Sequence, residues 1–428
     1  MTALILLLGA CGEEPADRDA ASPTDTADPT DAAPVETLRV DLHPTADHGG
    51  LPGDGSPADT GDDGSPADTT HPPDGAPGDS AACVDPCPAP SGVTWACKKR
   101  FMYGANWAWL NFAGDFGGIA AWGQSGVSKA SATYSAAMAQ MKAGGVSVIR
   151  WWMFPRFWTE SISFGSDDAP SGVGGTLVAD VQKALELAKQ HDLYIMLTLF
   201  SFDSFTPTKT ESGIYTRGLQ PMVVDAVRRQ KLLQNLVVPV AKAVEASPHK
   251  QRMIAWDMIN EPEWAMTGAN LYGGEAFSPQ SGLQAVTHAQ METFLQEMAA
   301  ALHASSGALV TIGGAAIKWG SAWTKVNVDF YQLHYYDWVY EWYPYATVTL
   351  ASAGLSGKPV VMGEFPLQGL SAIPSKGLPA RTAAQLSQDL WNNGYAGALA
   401  WAFNDPSFPW SAAAVQAFAG QHPCETKY

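Results

Sequence analysis

At 428 residues, 46% of them hydrophobic, the chain has the length for one large domain with residues to spare or for two smaller ones, and its formal net charge is −17. The charge is unevenly spread: 17 acidic and 2 basic residues fall between Gly12 and Ala82, so −15 of the total lies there and the rest of the chain is nearly neutral. A neutral remainder excludes the basic stripe that nucleic acid requires, and its sixteen tryptophans point instead to stacking surfaces as well as core.

In chain order, Met1 to Cys11 (MTALILLLGAC) is an apolar run too short to cross a bilayer as a permanent helix. A short apolar region followed by small residues reads as an export signal. Leu8-Gly9-Ala10-Cys11 resembles a bacterial lipobox, which implies acylation of Cys11 and a membrane anchor, with an ordinary cleaved signal as the alternative. Residues 12–82 are almost all Asp, Pro, Thr, Ala, Gly and Ser, with a near repeat of Gly-Ser-Pro-Ala-Asp-Thr at Gly55 to Thr60 and Gly64 to Thr69. Such a segment cannot bury enough apolar area to offset its ordering entropy, so a disordered acidic spacer is expected. Residues 83–428 then form the folded domain. Apart from Cys11 the cysteines are Cys83, Cys87, Cys97 and Cys424, an even set that allows three connectivities in an exported chain. If all four pair, Cys424 bonds to the N-terminal cluster in each of the three. The spacing does not suit zinc.

Beyond Cys97 the pattern becomes regular. Apolar runs of strand length occupy Phe101 to Trp109, Val146 to Trp152, Leu193 to Phe200, Met253 to Asn260, Ala308 to Ala315, Asp329 to Tyr336, Pro359 to Phe365 and Gly397 to Phe403. Helical spacing occupies stretches between them, among them Leu177 to Gln190, Met222 to Ala246, Leu283 to His303 and Arg381 to Asn392. Continuously apolar strands separated by helices imply a parallel sheet covered by helices, and eight such units predict an α/β fold, a (β/α)8 TIM barrel. A doubly wound sheet is the structural alternative, and it lacks its Gly-rich loop after an early strand.

In such a barrel the working residues stand at the C-terminal strand ends. Strand four runs into Asn260-Glu261-Pro262 and strand seven ends at Glu364; strand two ends in Arg150-Trp151-Trp152, strand six in His334-Tyr335-Tyr336 and strand eight near Trp401. Two carboxyl groups facing each other across the mouth are what glycosidic bond cleavage needs. The segments MIAWDMINEPEW and PVVMGEF resemble clan A glycoside hydrolases, family 5 most closely, over roughly Phe101 to Pro409. That resemblance implies Glu261 as acid/base and Glu364 as nucleophile. It implies Arg150 as the cation that keeps the nucleophile ionised, Asn260 as the ligand of the sugar 2-hydroxyl, His334 and Tyr336 as the His-x-Tyr beside the two carboxyls, and Trp401 as the stacking platform. Trp107, with Trp109, Trp152, Trp158, Trp264, Trp338, Trp342 and Trp410, is a further candidate for sugar contact. Many family members have a His at the end of strand three; here the chain reads Leu197 to Asp203 (LTLFSFD), which tilts the substrate toward mannan and leaves Asp203 as either a hydroxyl ligand or a solvated loop carboxylate.

The resulting expectation is a retaining, endo-acting β-glycoside hydrolase on a neutral β-1,4-linked polysaccharide, mannan ahead of glucan, exported, monomeric and in need of no cofactor or metal. An exo-acting glycosidase and a non-catalytic glycan-binding surface protein are the alternatives. The motifs of zinc proteases, serine hydrolases and nucleotide-dependent enzymes are missing from the sequence.

Overall fold

The computed structural model describes residues 84–428 apart from Trp158 and Ser212. The export segment with Cys11, the acidic spacer and Cys83 lie outside the described residues, as does Trp158 among the tryptophans named above.

Eight strands close a parallel barrel in sequence order: β1 Met102–Trp107, β2 Val148–Trp152, β3 Tyr194–Ser201, β4 Met253–Asn260, β5 Leu309–Gly314, β6 Tyr331–His334, β7 Val360–Pro366 and β8 Gly397–Trp401. Both faces of each strand are covered, which is why β4 reads as an unbroken buried run. Alternation sorts the side chains. Met102, Val148, Met196, Ile254, Val361 and Leu399 fill the lower barrel interior, while Tyr103, Trp107, Ile149, Trp151 and Leu197 pack outward under the helices. Above the apolar floor the interior turns polar, at Asn106, Arg150, Asp257, Gln332 and His334.

The outer layer includes α1 Ser131–Ala143 and α2 Leu177–Gln190, the latter with the expected bounds. The single helix expected over Met222 to Ala246 is broken into α3 Gln220–Val224, α4 Ala226–Leu232 and α5 Val238–Glu245, with a π-turn at Leu233–Val237. Asp225 causes the first break, because its carboxylate accepts from the amides of Val227 and Arg228 and restarts the helix. The π-turn ends beside Pro239, which has no amide proton to donate to the preceding turn. Helix α6, His288–Ser305, begins five residues later than expected because Thr287 and Gln290 form a capping box. Helices α7 Asp337–Trp342, α8 Ala383–Asn392 and α9 Ala412–Ala419 complete the layer. Among the described residues no helix is long and apolar enough to cross a membrane.

The floor of the barrel is closed by the chain ends of the described domain. Tyr428 joins Val93 and the lower strand residues, its hydroxyl donating to the Val93 carbonyl at 3.1 Å. A Cys87–Cys424 disulfide ties the same two ends across 337 residues of sequence, and Cys97 is disulfide-bonded as well. Closing so long a loop restricts the unfolded chain, so reduction is expected to cost up to about 5 kcal/mol in the chain-entropy picture. Denaturant titrations with and without reductant measure it; an unchanged midpoint would show that the floor is held by packing alone.

Candidate active site

Arg150 organises the upper interior. Its place in β2, between inward Val148 and inward Trp152, directs the guanidinium up the barrel axis, where it is fully buried. Nε donates to Asp257 Oδ2 at 2.8 Å, Nη1 to Asn106 Oδ1 at 2.9 Å and to Glu364 Oε1 at 2.6 Å, and Nη2 to Asn260 Oδ1 at 2.7 Å. Asp257 is completed by Thr198 Oγ1, the Gly313 amide and Gln332 Nε2. The glycine at 313 is required by this crowding, since a Cβ there would stand 2.7 Å from Arg150 Nη2.

Two register shifts bring the glutamates inward. Strict alternation would put Asp257 and Ile259 inside the barrel; a shift between Asp257 and Asn260 turns Ile259 out to the helix layer and Asn260 in. In β7 a shift between Met362 and Phe365 turns Phe365 out and presents Glu364 to the interior. Glu261, one residue beyond β4, has φ 49°, a left-handed conformation unfavourable for a residue with a Cβ, and its amide donates to the Gly313 carbonyl at 2.6 Å.

His334 stands between the two acids. Its Nδ1 lies 2.8 Å from Glu261 Oε1 and 3.5 Å from Glu364 Oε1, and the donor atoms of all three residues fall within 4.8 Å of one another. The Tyr336 hydroxyl donates to Glu364 Oε2 at 2.8 Å, and Trp264 Nε1 donates to Glu261 Oε2 at 3.1 Å. Among the described residues this is the one group spaced as metal ligands would be, yet each carboxylate is already bonded to protein donors. Burial pushes the Glu261 carboxyl up to about 8, with Asp203 adding to the rise and Arg150 and Trp264 opposing it. Burial raises Glu364 also and the charge of Glu261 adds to the rise, while His334, the charge of Arg150 and the hydroxyl of Tyr336 oppose it, the last two through direct hydrogen bonds. Burial holds His334 down near 4, so the ring is neutral.

Around the mouth Ala108, Trp152, Tyr336, Trp401 and Ala402 cluster, with Trp109, Trp338 and Phe408 packed against them. Trp152 lies 5.7 Å from Trp401, whose Nε1 donates to Asp405 at 2.9 Å. A hollow of about 390 Å³ opens beside Tyr336, lined by Trp338, Gln368, Ser371 and Phe408 among others. Trp264 meets Trp319 at 5.2 Å and Trp338 at 5.9 Å on the Glu261 side.

Thus Arg150, Asn260, Glu261, His334, Tyr336, Glu364 and Trp401 converge at one end of the barrel. Trp107 does not. It faces away from the axis, fully buried and stacked on Trp151 at 4.5 Å, because it follows inward Asn106 in an alternating strand. The expectation that it meets sugar is corrected: it is core. Two residues of the site were given no role by the sequence reading, Asn106 and Asp257, whereas Trp264, a candidate for sugar contact there, stands on Glu261. A lone Asp within the apolar run of β4 is the signal that could have exposed Asp257, since a buried carboxylate needs a cation and Arg150 is the cation set in another apolar strand, β2, one strand removed across β3.

No family model matches the chain. It is 23% identical over 337 residues to the mannan endo-1,4-beta-mannosidase of Mytilus edulis, covering 72% of this chain and 85% of that protein. To the enzyme of the same name from Cryptopygus antarcticus it is 23% identical over 348 residues, 73% of this chain and 83% of the other. The crystal structure of the Cryptopygus antarcticus beta-1,4-D-mannanase shares the fold with TM-score 0.60 at 23% identity, over 76% of this chain and 91% of that one. The Mytilus edulis structure does so with TM-score 0.57 at 21% identity, over 75% and 92%.

Proposed function

Since this chain is a glycoside hydrolase similar to family 5 of clan A, we propose that it is a retaining endo-β-1,4-mannanase working through Glu364 and Glu261. The observation that carries the mechanism is the approach of the Glu261 and Glu364 carboxyl oxygens to within 4.8 Å. Retaining enzymes place their two carboxyl groups about 5 Å apart, and inverting ones leave room for a water between.

Glu364, ionised by Arg150 and Tyr336, attacks the anomeric carbon and forms a glycosyl-enzyme, while Glu261, protonated in its buried setting, gives its proton to the leaving oxygen. Glu261 then takes a proton from the incoming water and the ester to Glu364 breaks. The oxygen of Asn260 is taken by Arg150, so the amide NH2 is the end that meets the sugar 2-hydroxyl. Neutral His334 spans the two acids and keeps their spacing, and Trp401 offers its face to the sugar at the cleavage point.

The preference for mannan is supported by the names of the two relatives. The Cys87–Cys424 bond supports an exported protein, for which the N-terminal reading adds a lipid anchor at Cys11 and an acidic spacer over 12–82. A monomer is proposed. The test is product analysis on mannan, glucan, xylan and galactan with NMR of the anomeric proton at early times. Oligosaccharides released from mannan first, in the β configuration, are expected; an α product would replace retention with inversion, and release of single sugars alone would make the enzyme exo-acting.

A further inference from the structure

A further carboxylate, Asp203, stands on the turn that packs against the one following Glu261. Asp203 lies two residues past Ser201, which pairs in register with Asn260 across the β3–β4 ladder, and the turn Phe202–Phe205 packs on the turn Pro262–Ala265 that follows Glu261. The buried carboxylate of Asp115 is saturated with donors: it accepts from the amides of Leu110 and Asn111, the Tyr134 hydroxyl and Trp151 Nε1. Asp203, among the described residues, accepts through its carboxylate from one donor, Ser201 Oγ at 3.1 Å, and the residue keeps part of its surface open. A carboxylate with vacant lone pairs, ringed by protein at the edge of a sugar site, is a ligand for hydroxyl groups.

Resting on the two-glutamate reading above, we propose that Asp203 is a positioning and specificity residue of the leaving-group side, its carboxylate accepting a hydroxyl of the departing sugar and its negative charge retaining the proton on Glu261. The groups that face this pair are Arg156 from the segment after β2, whose positive charge favours ionised Asp203; Ser201 on β3; Arg150 on β2; Glu263 and Trp264 after β4; His334 on β6; and Glu364 on β7. Burial raises Asp203 and Arg156 opposes the rise, while the charge of Asp203 raises Glu261. The device resembles two carboxylates that share a site, in which the ionisation of one holds the proton on the other.

The test is the pH dependence of kcat/KM for Asp203→Asn, which keeps the shape and removes the charge. The alkaline limb, which reports loss of the Glu261 proton, is expected to move down by roughly 1 pH unit. At the optimum, kcat/KM on a mannan oligosaccharide should fall by roughly 10- to 100-fold through the lost charged hydrogen bond. An aryl glycoside with an activated leaving group should lose far less, because its departing group carries no sugar hydroxyls and needs no proton. Asp203→Ser provides the same readout should the asparagine variant fail to fold. An equal loss on both substrates with an unmoved alkaline limb would mean a structural role and overturn the proposal. Glu261→Gln separates the two readings. If it abolishes the alkaline limb while Asp203→Asn leaves it unmoved, this inference alone fails; if the limb survives in Glu261→Gln, the acid/base assignment fails with it.

Discussion

Replacing Glu364 by alanine is expected to bring turnover of every glycoside to the background of the assay, while Glu261→Ala keeps a selective part of the reaction. The asymmetry follows from the environments of the two groups. Glu364 is bonded to a guanidinium at 2.6 Å and a phenol at 2.8 Å, a setting that favours the anion and aims it, and without it no glycosyl-enzyme forms. Glu261 has no such direct cation and its carboxyl is pushed up to about 8, which suits the acid role proposed for it at neutral pH. Its removal is expected to cost about 10²–10⁴-fold on natural substrates, whose leaving oxygen needs a proton. An aryl glycoside with a good leaving group should still glycosylate Glu364, and azide should replace the water that Glu261 no longer activates. The product would be a β-glycosyl azide, two inversions restoring the starting configuration. In the unmodified enzyme the alkaline limb of kcat/KM should fall near pH 8, since activity needs Glu261 protonated and is lost as pH rises through that value. Retained turnover in Glu364→Ala would remove the nucleophile assignment.

Arg150→Met should damage both stability and chemistry. The guanidinium has no exposed surface and touches Asp257, Asn106, Glu364 and Asn260 at once. Removing it leaves two buried carboxylates with no cation in contact, and breaking a buried ion pair in this way costs about 3–5 kcal/mol. Arg150 also lowers Glu364, so in the variant the nucleophile binds its proton more tightly and the acid limb of the pH profile should move to higher pH. Arg150→Lys is expected to recover part of the stability and little of the activity, because a point charge cannot fork to four oxygens. Urea titration at neutral pH and the pH dependence of kcat/KM measure the two effects; a variant of full stability with an unmoved acid limb would remove Arg150 from this role.

The barrel was legible in the sequence because its determinants are local. A strand buried on both faces has to be apolar throughout, and β4 was bounded correctly from that alone, as was the amphipathic helix α2. The residues at the strand ends were legible for the same reason: Asn260-Glu261-Pro262 and Glu364 are polar interruptions where apolar runs stop. The split of the Met222 to Ala246 segment was harder to read. It depends on Asp225 turning its side chain back to cap a new helix, a choice that the spacing of apolar residues does not record.

What the sequence by itself determined is therefore the eight-fold alternation and the identity of the groups available for chemistry. Which of them face one another was decided by tertiary structure. Period-two alternation assigns Trp107 correctly to the helix layer once Asn106 is known to face the axis, but nothing local says which parity points inward. At the catalytic strands the alternation is itself broken. Register shifts in β4 and β7 exchange inside for outside just where Asn260 and Glu364 stand, and they arise from pairing with neighbouring strands that lie far away in the chain. The separation of the two carboxyls, the single cation that serves four oxygens and the proximity of Asp203 to Glu261 all follow from closing the sheet on itself. Only closure brings the ends of β2, β3, β4, β6 and β7 to one point.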